Sequence, residues 1–136
     1  MHNDGPQYLS VGDVIALHRY VMERLGTTAA PLRDEAALEG ALMRPQMAAY
    51  YETADVVRQC AVLAIGISQA QAFTDGNKRT AFAAVRAFLR RNGLHYAGPP
   101  LMLAEQLEAV ATRPDSLADA TDRFESWFRA RIAPLS

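Results

Sequence analysis

Apolar positions along the chain recur mainly at helical spacing. Val14, Leu17, Val21 and Leu25 follow one another until Gly26, which predicts an amphipathic helix closed by a glycine at C′. Ser10 with Asp13 three residues on resembles a capping box in which Asp replaces Glu. His18 lies beside this stripe, where a hydrogen-bonded packing histidine is expected. Asp34 is placed to cap a second helix through EAALEGALMR, predicted to stop at Pro45 because proline disfavours helical geometry in the residue before it. The following QMAAYYETAD is less periodic and reads as an irregular or hairpin-like connector.

From Asp55 to Ala72 the pattern is apolar on nearly all sides (VVRQCAVLAIGISQAQA), as in a helix surrounded by others. Gly66 inside it suits close approach of a neighbouring helix, since glycine otherwise weakens a helix interior by roughly 1 kcal/mol. After Thr74-Asp75-Gly76 a further helix is predicted from Asn77 to Arg91, ended by Asn92-Gly93. LHYAGPP is a turn or short extended piece, and LMLAEQLEAVAT and SLADATDRFESWFRARI give two final helices, with Trp127 and Phe128 as core anchors. The expectation is an all-α fold, a compact single-domain bundle of about six to seven helices over residues 1–136.

Composition agrees with a globular chain: half of the 136 residues are hydrophobic and 21% are charged. The N-terminus lacks a basic region followed by an apolar stretch, and nowhere do about 18 uncharged apolar residues run together. No membrane partner and a cytoplasmic location are therefore expected. Cys60, alone in its type, sits in an apolar run and reads as a small buried hydrophobe.

Charge changes the picture more. Net charge is −1, yet from Gly76 to Ala104 there is no Asp or Glu, while Lys78, Arg79, Arg86, Arg90 and Arg91 all fall there. A local basic surface on a mildly acidic chain suits a specific anion better than long nucleic acid. Arg79, Arg86 and Arg90 lie within about 20° of one line on their helix, a stripe that reads first as a solvated flank.

Candidate chemistry gathers in QAFTDGNKRTA, residues 71–81. A helix beginning just after Gly76 presents free N–H groups and its positive dipole end to the loop above it. Gly76 permits close backbone approach, and Lys78 and Arg79 add two cations where only an anion would offset them. Asp75 is a hard oxygen ligand suited to Mg²⁺ beside a phosphate. These are the ingredients of phosphoryl transfer. The alternative is that Asp75 and Asn77 merely cap the helix while the cations are solvated. GNKRT is no Walker A loop, there is no GxGxxG, and no His or Cys spacing offers a zinc site.

FTDGNKRTA followed by FLRRNG resembles the Fic/Doc superfamily, specifically its death-on-curing toxins, whose motif is HxFx[DE]xNK(R)TA. YLSVGDVIALHRYVMERLG and LRDEAALEGALMRPQ extend the likeness along the chain. The resemblance implies a motif loop that binds ATP with Mg²⁺. Fic members, with glycine at position 78 and arginine at 82, transfer AMP to protein hydroxyls. Doc-type members, with lysine at the first and no arginine at the second, place the γ-phosphate on a threonine of elongation factor Tu and stop translation. Lys78 and Phe82 side with the kinases.

Carried over, Asp75 would hold Mg²⁺, Asn77, Lys78 and Arg79 with the Gly76 backbone would cradle the phosphates, and Phe73 would anchor the loop. Residues Met47 to Ala54 would be the flap that aligns the target segment, and a separate antitoxin would supply inhibition. An [ST]xxxE[GN] inhibitory sequence is missing from this chain, since the Glu39-Gly40 pair has Glu35 four residues before Glu39.

Gln71 departs from the motif. The family's histidine takes the proton of the attacking hydroxyl, whereas a glutamine amide can hold that hydroxyl but is no base near neutral pH. Severe loss of transfer with retained nucleotide binding is expected. A degenerate member, a variant using another base, and a substitution that disarms a toxic protein all remain open, as do AMP transfer and a non-catalytic binding module. His2, His18 and His95 lie far from the motif in sequence.

Overall fold

A computed structural model describes residues 5–135. Six helices follow one another: α1 (Val11–Arg24), α2 (Glu35–Glu52), α3 (Val56–Ala70), α4 (Asn77–Arg91), α5 (Pro100–Ala111) and α6 (Leu117–Arg129). Two short strands, β1 (Leu94–Tyr96) between α4 and α5 and β2 (Ile132–Pro134) after α6, complete the order. They pair antiparallel with His95 opposite Ala133. The fold is the all-α one expected, with this small ribbon added.

The apolar α3 is the central element, packed against α2, α4, α5 and α6. Its buried residues run almost without interruption from Gln59 to Ser68 and include Leu63, Ile65 and Ile67. Phe73, Phe88, Phe124 and Phe128 are the largest fully buried side chains around it. Trp127 is only partly buried and packs against this core from outside. Cys60 is fully buried and unpaired, and burial pushes its thiol far up, out of the range of a nucleophile. At Gly66 a Cβ would lie 3.2 Å from both Ala41 Cβ and Arg44 Cδ, so the glycine does permit close approach of α2 to α3.

Two expectations are corrected. Pro45 does not end α2, which runs through it to Glu52, so there is no hairpin-like connector over residues 47–52. Leu38, Ala41, Leu42, Pro45 and Ala48 are buried at continuous helical spacing. Packing of that unbroken stripe offsets the roughly 3 kcal/mol cost of an interior proline. The stripe of α1 is also rotated from the predicted one: Val14, His18 and Met22 are buried, while Leu25 is 48% exposed. The predicted capping box at Ser10 and Asp13 is present.

Candidate functional site

The motif loop is built on the end of α3. Gln71 is the helix C-cap and adopts the left-handed conformation at φ 52°, one of two non-glycine residues to do so among the described residues. The chain then passes beneath the segment preceding α2: the Ala72 carbonyl accepts the Arg33 and Asp34 N–H groups at 2.8 and 3.1 Å, and Leu32 bridges Phe73. Phe73 is 1% exposed and is the anchor that the motif implied.

Asn77 is itself buried and spends its amide on that anchor. Its Oδ1 accepts the Phe73 N–H at 3.1 Å and its Nδ2 donates to the Phe73 carbonyl at 2.8 Å. From the other side, the His18 ring stacks on the Phe73 ring at 3.8 Å with 10° between planes. His18 Nε2 donates to the Asp75 carbonyl at 2.8 Å. Gly76 turns the chain at φ 80°, and a Cβ there would meet Met22 Sδ at 2.7 Å. Asn77 therefore offers a ligand its backbone N–H, not its side chain.

Gly76 caps α4 without any side-chain hydrogen bond, whereas Ser10, Asp34, Asp55 and Ser116 side chains cap α1, α2, α3 and α6. The N–H groups of Asn77, Lys78 and Arg79 thus have no intrahelical acceptor. Lys78 and Arg79 are exposed and line a cleft of about 680 Å³ between α1, α4 and α5, together with Arg24 and Arg86. Its walls include Val21 and Phe82, and no carboxylate lines it. Lys78 Nζ reaches Glu108 Oε1 on α5 at 2.6 Å. Arg86, over the Phe82 ring at 5.8 Å, carries the basic stripe from this cleft toward Arg90 and His95.

Asp75 is exposed, and its Oδ1 accepts the Gly76 N–H at 2.8 Å. Gln71 is exposed too, with its Nε2 donating to the Ser68 carbonyl at 3.1 Å and its own carbonyl accepting from the Arg33 guanidinium. Neither residue lines the cationic cleft. A second cleft of about 760 Å³, between α2 and α3, has Arg44, Met47, Tyr51 and Glu52 on one side and ends at Gln69 and Ala70. The loop from Gln71 to Asn77 thus follows the residues of one cleft and precedes those of the other.

No cluster of three or more His, Cys, Asp or Glu side chains among the described residues can hold a metal unaided. An exposed Asp75 just ahead of the open N–H groups of α4 does fit Mg²⁺, which keeps waters and takes one or two carboxylates with substrate phosphates. Of the other histidines, His18 is buried with Nε2 committed to a carbonyl. His95 is in β1, beyond the far end of α4, and His2 lies outside the described residues. The sequence motif singles out Asp75, Gly76, Lys78 and Arg79 but not the residues the structure sets around the loop: Met22, Arg33, Ala72 and Glu108. The spacing of Val14, His18 and Met22 carried a signal for Met22; nothing local marked the others.

The family model for the Fic/DOC family matches residues 8–89, a span that holds every loop residue just described. The protein kinase doc of Escherichia phage P1 is 31% identical over 117 residues, which cover 85% of this chain and 91% of the phage protein. The chain belongs to the Fic/Doc family, on its Doc branch.

Proposed function

We propose that this chain is a Doc-type toxin whose loop binds ATP with Mg²⁺ and whose chemistry is transfer of the γ-phosphate to a threonine of elongation factor Tu, impaired here by Gln71. One observation carries the reading: α4 begins without a side-chain cap, with Lys78 and Arg79 in its first turn and Asp75 just before it. The N–H groups of residues 77–79 and the two cations bind and orient phosphate oxygens. Asp75 would hold Mg²⁺ through a carboxylate oxygen, and the ion would supply positive charge that neutralises the phosphates.

Gln71 stands where the acceptor hydroxyl must lose its proton, and it can position that hydroxyl without accepting the proton. The cleft between α2 and α3, with Met47 and Tyr51 on its rim, is suited to the acceptor segment. Activity of this kind acts in the cytoplasm and calls for a separate antitoxin, since this chain lacks the inhibitory sequence.

The test compares this chain with its Gln71→His variant, each given elongation factor Tu, Mg²⁺ and ATP labelled at the α- or the γ-phosphate. The expected result is γ-label on the factor, about 10²–10⁴-fold faster with histidine. Transfer of the α-label would move the assignment to AMP transfer, and no transfer from folded protein would remove the kinase reading. A non-catalytic binder would show no affinity for ATP·Mg²⁺ by calorimetry.

A further inference from the structure

We infer that His18, in α1 and far from the motif in sequence, is the positioning residue that holds the loop in its ligand-ready form. The inference rests on the nucleotide reading for its purpose, but not for its geometry.

One ring makes two contacts with two loop residues. It stacks on Phe73 at 3.8 Å and donates from Nε2 to the Asp75 carbonyl at 2.8 Å. Because the acceptor is a carbonyl, Nε2 carries the proton. The ring is 2% exposed, so it acts from beneath the loop.

The contacts divide the work with Asn77. Asn77 fixes the N–H and carbonyl of Phe73, which sets where the loop starts. The next backbone group of the loop held by a tertiary hydrogen bond is the Asp75 carbonyl, and His18 supplies that bond. That bond sets the peptide plane between Asp75 and Gly76, and with it the direction of the Gly76 N–H, which is bonded to Asp75 Oδ1 at 2.8 Å. Peptide planarity transmits the constraint from the carbonyl to that N–H. A ring buried beneath the loop thereby decides how the Asp75 carboxylate is aimed.

The decisive variant is His18→Phe, which keeps an aromatic face for Phe73 and removes the donor. Hydrogen exchange of the ligand-free protein, read at Phe73, Gly76 and Thr80, whose N–H groups all have partners, should quicken at least ~10-fold. Amides of Phe124 and Phe128 in α6 should stay within about twofold. His18→Gln, whose amide offers an N–H at similar reach, should return the three loop amides to within about threefold. Unchanged loop exchange in His18→Phe, an equal rise throughout α6, or a His18→Gln variant as loose as His18→Phe would overturn the inference.

A second arm measures the Mg²⁺ concentration that half-saturates ATP binding. It should rise ~5-fold or more in His18→Phe, with Mg²⁺-free ATP affinity within about twofold. An unchanged Mg²⁺ requirement would overturn the link from the ring to Asp75. If the parent chain binds no ATP·Mg²⁺ at all, the nucleotide reading fails, and the exchange arm alone decides the role of His18.

Discussion

Asn77 shows how little of a residue's role its type and position reveal. The motif made it part of a phosphate cradle, but its side chain is turned inward onto both backbone groups of Phe73. Asn77→Ala would leave that buried N–H and carbonyl without partners, and urea denaturation should report a loss of about 2–4 kcal/mol. Gly76 is the converse case. Its position before a helix was legible as a close-approach glycine, while the φ of 80° that strains any side chain there, and Met22 Sδ at 2.7 Å from a built Cβ, needed the fold. Phe73 could be read from the motif; the histidine ring stacked on it could not, since periodicity gives a helix face without saying which loop that face meets. If Asp75 holds Mg²⁺ as proposed, Asp75→Ala should abolish the Mg²⁺ dependence of nucleotide binding in calorimetry while leaving the melting temperature of the free protein nearly unchanged, because the side chain is exposed.

At the scale of elements, α3 was the most legible because an apolar surface on all sides has one physical meaning, burial. Helix α2 runs on where the local rule about proline predicts a stop, because its buried stripe continues on either side of Pro45. Close packing of these two helices depends on Gly66. Gly66→Val adds branched bulk where a Cβ alone would sit 3.4 Å from the Ala41 backbone, and should cost about 1–3 kcal/mol in thermal or chemical unfolding. The start of α3 has its own electrostatic signature. Asp55 caps it and pairs with Arg129 at 2.8 Å, and the hydrogen bond from Arg129 holds its carboxyl down to about 2.

A lowered folded-state value means the contribution is fully present above the ordinary carboxylate pKa near 4 and is lost as pH falls through about 2. Asp55→Asn keeps the cap. Since the pair is exposed, the variant should lose less than about 1 kcal/mol at pH 7. That gap should shrink steadily below about pH 4 when the two unfolding curves are compared.

For the whole molecule, the uneven charge was the most informative global feature. Segment 76–104, with five cations and no carboxylate, supplies one wall of the cationic cleft, and the pairing of Lys78 with Glu108 comes from just beyond it. No helix among the described residues is long and apolar enough to cross a membrane. If the cleft and loop bind ATP·Mg²⁺, saturation to ~100 times the dissociation constant should stabilise the fold by about 2.7 kcal/mol, read as a rise in melting temperature. Asp75→Ala should remove most of that rise. The ends of the described chain meet at a single corner: Gln7 exchanges two hydrogen bonds with Asn92, and the Leu135 N–H donates to the Gly93 carbonyl at 2.9 Å. That corner is separated from the motif loop by α4, whose 15 residues span about 22 Å. A fluorophore, surface tether or affinity handle attached at Gln7 or Leu135 would therefore sit a full helix length from the loop, leaving it free to be assayed on an immobilised molecule.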